Sequence, residues 1–234
     1  MKRSIILGFT LLSIMYVKAQ NLQLHYDFGE ERKYLTSTFE YFNHDNLGNT
    51  FLFVDMDYGA GDVKGVSSAY WEVSRSFIIC KSPFAAHIEY NGGFLQWKQD
   101  AFQGVVQFDD AWLAGAEYNY NSEDFSRGYT LMLLYKNIRN KQDLSFQVTG
   151  VWYLNFLKNK MTFSGFADFW REDNIFMENN LQLERKFIFL TEPQIWYNFM
   201  PHFSAGSEIE LSNNFAGVKG FQVNPTLAVK WTIK

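Results

Sequence analysis

The chain has 234 residues and a formal net charge of -4. Aromatic residues make up 19% of it and hydrophobic residues 47%, yet no stretch beyond the N-terminus reaches the roughly 18 consecutive apolar residues of a membrane-spanning helix. The mild acidity and the lack of any Lys/Arg run argue against nucleic acid as a partner. The single cysteine, Cys80, cannot close an internal disulfide, and no Cys/His spacing suggests a metal site or cofactor.

Met1-Lys2-Arg3 is a short positive segment, and Ile5 to Val17 is a mainly apolar run. Val17-Lys18-Ala19 follows with small or modest residues, the pattern of a secretory signal peptide over residues 1–19. Residues 20–234 are then expected to form one domain in the cell envelope.

The mature chain alternates apolar and polar residues with the period of two that marks strands. Leu22 to Phe28 sets Leu22, Leu24 and Tyr26 against Gln23, His25 and Asp27. Tyr34 to Phe42 is the second segment, and Phe51 to Tyr58 the third. In the third, Leu52, Val54, Met56 and Tyr58 oppose Phe51, Phe53, Asp55 and Asp57. Ala69 to Ile79 sets Trp71, Val73 and Phe77 against Tyr70, Glu72 and Ser74. Arg75 falls on its apolar face, which requires a place near a membrane boundary where the long side chain can snorkel.

Phe84 to Tyr90, Ala111 to Tyr120, Gly128 to Lys136 and Asp143 to Tyr153 continue the pattern. Lys160 to Trp170, Phe187 to Phe199, Phe203 to Ser212 and Phe221 to Ile233 complete it. Pro193 and Pro225 interrupt two of these and call for bulges or a rim position. The connections Gly59–Ser68, Asn91–Asp110, Arg171–Lys186 and Asn213–Gly220 are long, whereas Cys80–Pro83 and Met200–His202 are short.

About twelve segments of near spanning length, with short and long links tending to alternate, predict an all-β fold. It is an antiparallel transmembrane β-barrel with both termini on the periplasmic side. Tyr26, Tyr90, Tyr120, Tyr129, Tyr135, Tyr197 and Trp231 stand near strand ends on the lipid parity, as aromatic girdles require. A soluble sandwich is the rival, and it must explain why the polar parity also carries so many aromatic rings.

Several stretches carry a resemblance. They are Tyr34-Leu35-Thr36-Ser37-Thr38-Phe39-Glu40, Gly48-Asn49-Thr50-Phe51 with Val54-Asp55-Met56-Asp57-Tyr58, and Ala69-Tyr70-Trp71-Glu72-Val73-Ser74-Arg75. Gly165-Phe166-Ala167-Asp168-Phe169-Trp170, Glu192-Pro193-Gln194-Ile195-Trp196, Asn224-Pro225-Thr226 and Lys230-Trp231 add to it. The chain resembles an uncharacterised family of outer-membrane proteins similar to the nucleoside-specific channel-forming (Tsx-like) proteins. The resemblance implies a monomeric twelve-stranded barrel with a narrow pore. Proteins of that type usually finish on an aromatic residue, and this sequence departs from them with Trp231-Thr232-Ile233-Lys234.

The inward parity collects Asp55, Asp57, Glu72, Glu89, Asp168, Glu192, Glu208 and Glu210, with Lys136 and Lys230 as its chief cations. Such carboxylates favour cations over anions. Phe51, Phe53, Tyr70, Phe166, Trp170 and Trp196 lie among them and could stack a planar solute. These residues, with Lys230, are the candidate pore lining.

The expected function is passive passage of small neutral or cationic solutes, nucleosides among them, across the outer membrane, with lipid as surroundings and no catalysis. The alternative is an envelope barrel whose lumen is closed by its own side chains. Two further patterns are weaker. Asp55 with Asp57 could form a calcium site or an acid pair, and His202-Phe203-Ser204-Ala205-Gly206 resembles the His-x-Ser-Asn-Gly stretch of outer-membrane phospholipases, with Ala205 where Asn is expected.

Overall fold

The computed structural model describes residues 18–30, 32–141, 145–175 and 183–233. The leader expected over residues 1–19 lies outside the described residues except for Lys18 and Ala19, which pair with Asn43 and Phe42.

The alternating segments form β1 (Lys18–Asp27), β2 (Leu35–Asp45), β3 (Gly48–Tyr58), β4 (Val66–Ile78) and β5 (Phe84–Gln99). Then come β6 (Phe102–Gln107), β7 (Ala111–Asn121), β8 (Arg127–Ile138), β9 (Ser145–Phe156) and β10 (Met161–Ile175). β11 (Leu183–Thr191), β12 (Gln194–Met200), β13 (Phe203–Asn213) and β14 (Phe221–Ile233) follow. Every pairing is antiparallel, β1 pairs with β14, and β9 pairs with β10, so the sheet closes on itself. β6 pairs only with β5, and β11 and β12 lie end to end between β10 and β13. Among the described residues the fourteen strands therefore fill a ring of twelve positions. Closure matters because an open edge would present unpaired backbone groups.

The two parities separate as the alternation demands. In β1, Leu22 and Leu24 are exposed, while Gln23 and His25 are 1% and 3% exposed. In β8 and β9, Leu131, Leu133, Phe146 and Val148 are exposed, while Lys136, Gln147 and Thr149 are buried. The barrel is thus apolar outside and largely polar inside, the reverse of a soluble protein. Outward rings gather at both ends. Tyr120 stacks on Tyr129 and Phe203 on Trp231 at the short-turn end, while Tyr26 meets Phe28 and Tyr90 meets Trp112 at the other. The interior also holds an apolar patch of Ala111, Leu113, Leu134 and Ile138.

Three expectations are refined. The segment Phe187 to Phe199 is not one strand. It breaks at Glu192-Pro193 into β11 and β12, because a proline cannot donate to the ladder. The link Asn91–Asp110 is not a plain loop, since β5 runs on to Gln99 and returns as β6. Arg75 does point outward near the short-turn rim. Its guanidinium donates to Asp45 Oδ1 (2.8 Å) and Thr50 Oγ1 (2.9 Å) and lies over the Phe77 ring.

The β7–β8 turn shows how such a rim is held. Asp124 accepts from Ser122 Oγ (2.7 Å), Ser126 Oγ (2.8 Å) and the Ser126 amide (3.1 Å). These bonds, first from Ser122 and then from Ser126, hold its carboxyl at about 2, below the ordinary 3.8. A depressed carboxyl stabilises the turn above the ordinary value and ceases to as pH falls through the folded one. Amide protection at Ser126 should therefore be intact above pH about 4 and lost toward pH about 2, and Asp124→Asn should flatten that dependence. Unchanged protection down to pH about 2 in the native protein would contradict it.

Candidate functional site

The lumen is built by the inward residues of all twelve ring positions, and its character changes along the axis. At the long-loop end, Arg32 reaches in from the β1–β2 connection. Its guanidinium is 3.2 Å from Asp27 Oδ2 and grips both oxygens of Glu210, at 2.8 and 2.9 Å. Glu210 also accepts from Ser212 and Asn224, both at 3.1 Å. Such a fork is strong and directional, so Glu210 is a fixed part of the wall. The connecting loop gave no alternation from which to place Arg32, and sequence reasoning missed it.

Below it lies a group of carboxylates with little compensation. Glu208 accepts from Gln194 Nε2 (2.6 Å) and stands 3.9 Å from His25 Nδ1. Asp55 and Glu192 lie close enough to Glu208 to act on it and on each other electrostatically. Asp55 accepts a hydrogen bond from Thr38, while Asp57 accepts from Thr36 Oγ1 (2.6 Å) and Ser68 Oγ (2.5 Å). The two aspartates are thus engaged by different neighbours and do not converge on one point. Among the described residues no group of three or more possible metal ligands is assembled.

A second acidic group adjoins it, with Tyr70 opposite Asp55 in the β3–β4 register. Tyr70 donates to Glu72 (2.8 Å), and Phe53 packs edge-on against Tyr70. Glu72 feels the charges of Glu89 and Asp168, and Lys136 lies among all three. Lys136 donates to Gln147 Oε1 (2.8 Å), and its ammonium is 4.2 Å from the centroid of the Trp170 ring. Asp168 accepts from Thr149 (2.5 Å). His87 is held between Glu89 (3.1 Å) and Glu117 (3.0 Å). Trp170 and Phe166 join Ile188 and Leu190 in an apolar cluster that Phe215 covers from the β13–β14 loop.

The bulkiest feature is Trp196, 0% exposed. Its Nε1 donates to Gln194 Oε1 (2.8 Å), His25 meets it edge-on, and the Lys230 ammonium sits 4.0 Å from its ring centroid. Phe51 lies nearer the short turns, half-buried and paired with Phe42 and Ser74. Structure thus gathers Asp55, Glu192 and Glu208 in one cluster, and Glu72, Glu89, Asp168, Tyr70 and Trp170 in another. Asp57 adjoins the first through Asp55, and Phe51 stands apart from both.

The hydrolase-like stretch does not assemble. His202 Nδ1 is 3.0 Å from the Thr232 carbonyl, and Ser204 donates to Asn198 Oδ1 (2.7 Å). Nucleophilic catalysis needs the base bonded to the hydroxyl, and here each is bonded elsewhere.

Comparison with known proteins places this geometry. A family model described as a domain of unknown function (DUF5020) matches residues 19–233. No curated protein matches the chain in sequence. Among solved structures, the NanC porin superposes with a TM-score of 0.58 at 8% identity, covering 92% of this chain and 100% of that one. The KdgM porin in complex with disordered oligogalacturonate gives 0.51 at 11% identity, covering 93% and 100%. The likeness is one of fold, a closed twelve-position porin barrel.

Proposed function

The chain belongs to the DUF5020 family, and we propose that it is an outer-membrane channel for small neutral or cationic solutes, working as a monomer. The porin fold of its structural neighbours supports the outer-membrane placement, as does an apolar exterior that only lipid can solvate.

The observation that carries the reading is the excess of carboxylate in the mid-lumen. Asp55, Glu192 and Glu208 in one group, and Glu72, Glu89 and Asp168 in the next, outnumber the cations that reach them, Arg32 at the first and Lys136 with His87 at the second. Rings of Asp and Glu raise the local concentration of cations and repel anions. The KdgM porin was solved with oligogalacturonate, a sugar acid polymer. The sign of this lumen disfavours a polyanion of that kind. Phe53, Tyr70 and Trp170 add ring faces among the acceptors, which suits a planar solute with hydroxyls or amino groups. Nucleosides fit that description, in keeping with the Tsx-like resemblance.

Purified protein in a planar bilayer should conduct, and in a potassium chloride gradient its reversal potential should report cation selectivity. A single charge within about 4 Å of a passing ion in water is worth about 1 kcal/mol, about fivefold in permeability. Glu72→Gln with Asp168→Asn should therefore lower the cation-to-anion permeability ratio by at least about fivefold. An anion-selective native channel would overturn the reading.

One observation favours a second reading. Trp196 is fully buried, and Lys230 and His25 pack on its ring. A lumen closed at that level would make the protein a binding or structural barrel. Absence of any conductance in the native protein would favour it.

A further inference from the structure

At the short-turn mouth the sign of the lining reverses. A cavity of about 490 Å³ opens there, lined by Lys158, Lys160, Lys230, Thr162, Asn198 and Ser204 among others, and its wall contains no carboxylate among the described residues. That volume suits a small organic molecule.

The cavity is built. Asn198 Nδ2 donates to the Asn159 carbonyl (2.8 Å) and to Thr162 Oγ1 (3.0 Å), its backbone amide donates to the Lys160 carbonyl (2.8 Å), and its Oδ1 accepts from Ser204 (2.7 Å). The β9–β10 turn is thereby pinned to β12, which holds Lys158 and Lys160 at the lip. Leu157, Lys158 and Asn159 are all left-handed there, with φ of 50°, 57° and 63°. Three such residues in a row without glycine are a costly backbone that the surrounding bonds must hold.

Lys230 forms the inner wall. Its ammonium has no hydrogen bond or ion pair among the described residues. It lies 4.0 Å from the centroid of the Trp196 ring, and the charges of Glu40 and His25 act on it electrostatically. Glu40 itself is engaged by Asn21 Nδ2 (2.6 Å). An ammonium carries three donors, and a half-buried one without partners leaves them unanswered.

We propose that this mouth is a binding site for a phosphate-bearing ligand approaching from the short-turn side. Three lysines lining one space suit a compact multivalent anion, for which lysine acts as a point charge. Thr232 adds a hydroxyl at the wall, while those of Thr162 and Ser204 are held by Asn155 and Asn198. The acidic mid-lumen above repels the same ligand, so the site holds it and does not pass it on. The ligand's source is either a free phosphate ester or the headgroup of an anionic lipid at the rim, where Phe199 and Met200 border the cavity.

The full-length barrel, folded in an uncharged detergent, is titrated calorimetrically with ribose 5-phosphate, with ribose, and with phosphatidylglycerol added to the micelles. Binding of ribose 5-phosphate but not ribose supports a free ester. Binding of phosphatidylglycerol alone supports the headgroup. In either case Lys230→Gln should weaken binding by at least about tenfold, the charge and its hydrogen bonds being lost together. Lys158→Gln with Lys160→Gln, on the exposed turn, should weaken it several-fold without altering the heat-modifiable mobility of the folded barrel. Absence of binding by both phosphates overturns the proposal, as does binding that all these variants retain. The readout is equilibrium binding without conduction, so its failure and the failure of the channel reading are separate results.

Discussion

Gly165→Val is expected to prevent the barrel from closing. Gly165 lies in β10 opposite the point where β11 hands over to β12, with φ of 154°. A Cβ there would stand 2.5 Å from the Glu192 carbonyl oxygen and 3.0 Å from Pro193 Cα. Both are backbone atoms and cannot swing aside. The handover is held by few bonds. The Glu192 amide donates to the Phe166 carbonyl (3.1 Å), and the Ile209 amide donates to the Pro193 carbonyl (3.1 Å). Pro193 has no amide to contribute. A valine must therefore push β10 away from the handover and break the ring at its weakest place.

Backbone strain at such a residue costs about 1–3 kcal/mol, and overpacking costs a similar amount again. Against a total stability of about 5–15 kcal/mol this removes much of the margin. Heat-modifiable gel mobility and the urea refolding midpoint would read the loss, with Gly165→Ala intermediate. Gly150→Ala is the control, since a Cβ there meets nothing closer than Leu131 Cδ2 at 3.7 Å. A valine variant that refolds like the native protein would show that the seam is not so tight.

That seam also marks where the sequence stops being legible. An apolar exterior and a largely polar lumen force strict alternation, so β1, β5 below Asn91, β7 and β8 could be read from period two alone. The rule lapses beyond the closed ring. Beyond Asn91, β5 carries Gly92 and Gly93, packed against the Trp71 and Phe108 rings, and then Leu95 and Trp97, both exposed. No pattern there distinguished a hairpin with β6 from a loop. Pro193 announced an irregularity, but only the pairing shows that one predicted strand is two.

The inward parity of Asp55, Glu72, Asp168 and Glu208 was legible for the same reason as the exterior. Their grouping was not, because it depends on which strands face each other across the ring. Arg32 and the Lys158–Lys160 lip come from connections, where parity says nothing. The unpaired state of Lys230 likewise could not be read from its place in an alternating strand.

Trp196→Ala is the change that decides between the open and the closed lumen. The indole is fully buried, and Gly206 on β13 leaves room for it. A Cβ on Gly206 would lie 2.5 Å from the ring. Lys230 and His25 lean on that ring from β14 and β1, so three adjacent strands and β12 converge at one level. Truncation to alanine costs about 3–5 kcal/mol where the ring is buried, and it releases a cation–π contact worth about 0.5–2 kcal/mol. Folding must therefore be checked by gel mobility first. If the indole obstructs the lumen, the folded variant loses that obstruction and single-channel conductance should rise several-fold. Uptake of larger neutral solutes into swelling liposomes should follow. If the native protein is silent and the variant conducts, Trp196 is the closure and the barrel is a gated or binding protein. If the native protein conducts and the variant is unchanged, the solute path runs past the acidic wall of Glu72 and Asp168 without meeting the indole. A Trp170→Ala variant, which opens the cluster under Phe215, should then be the one that alters conductance.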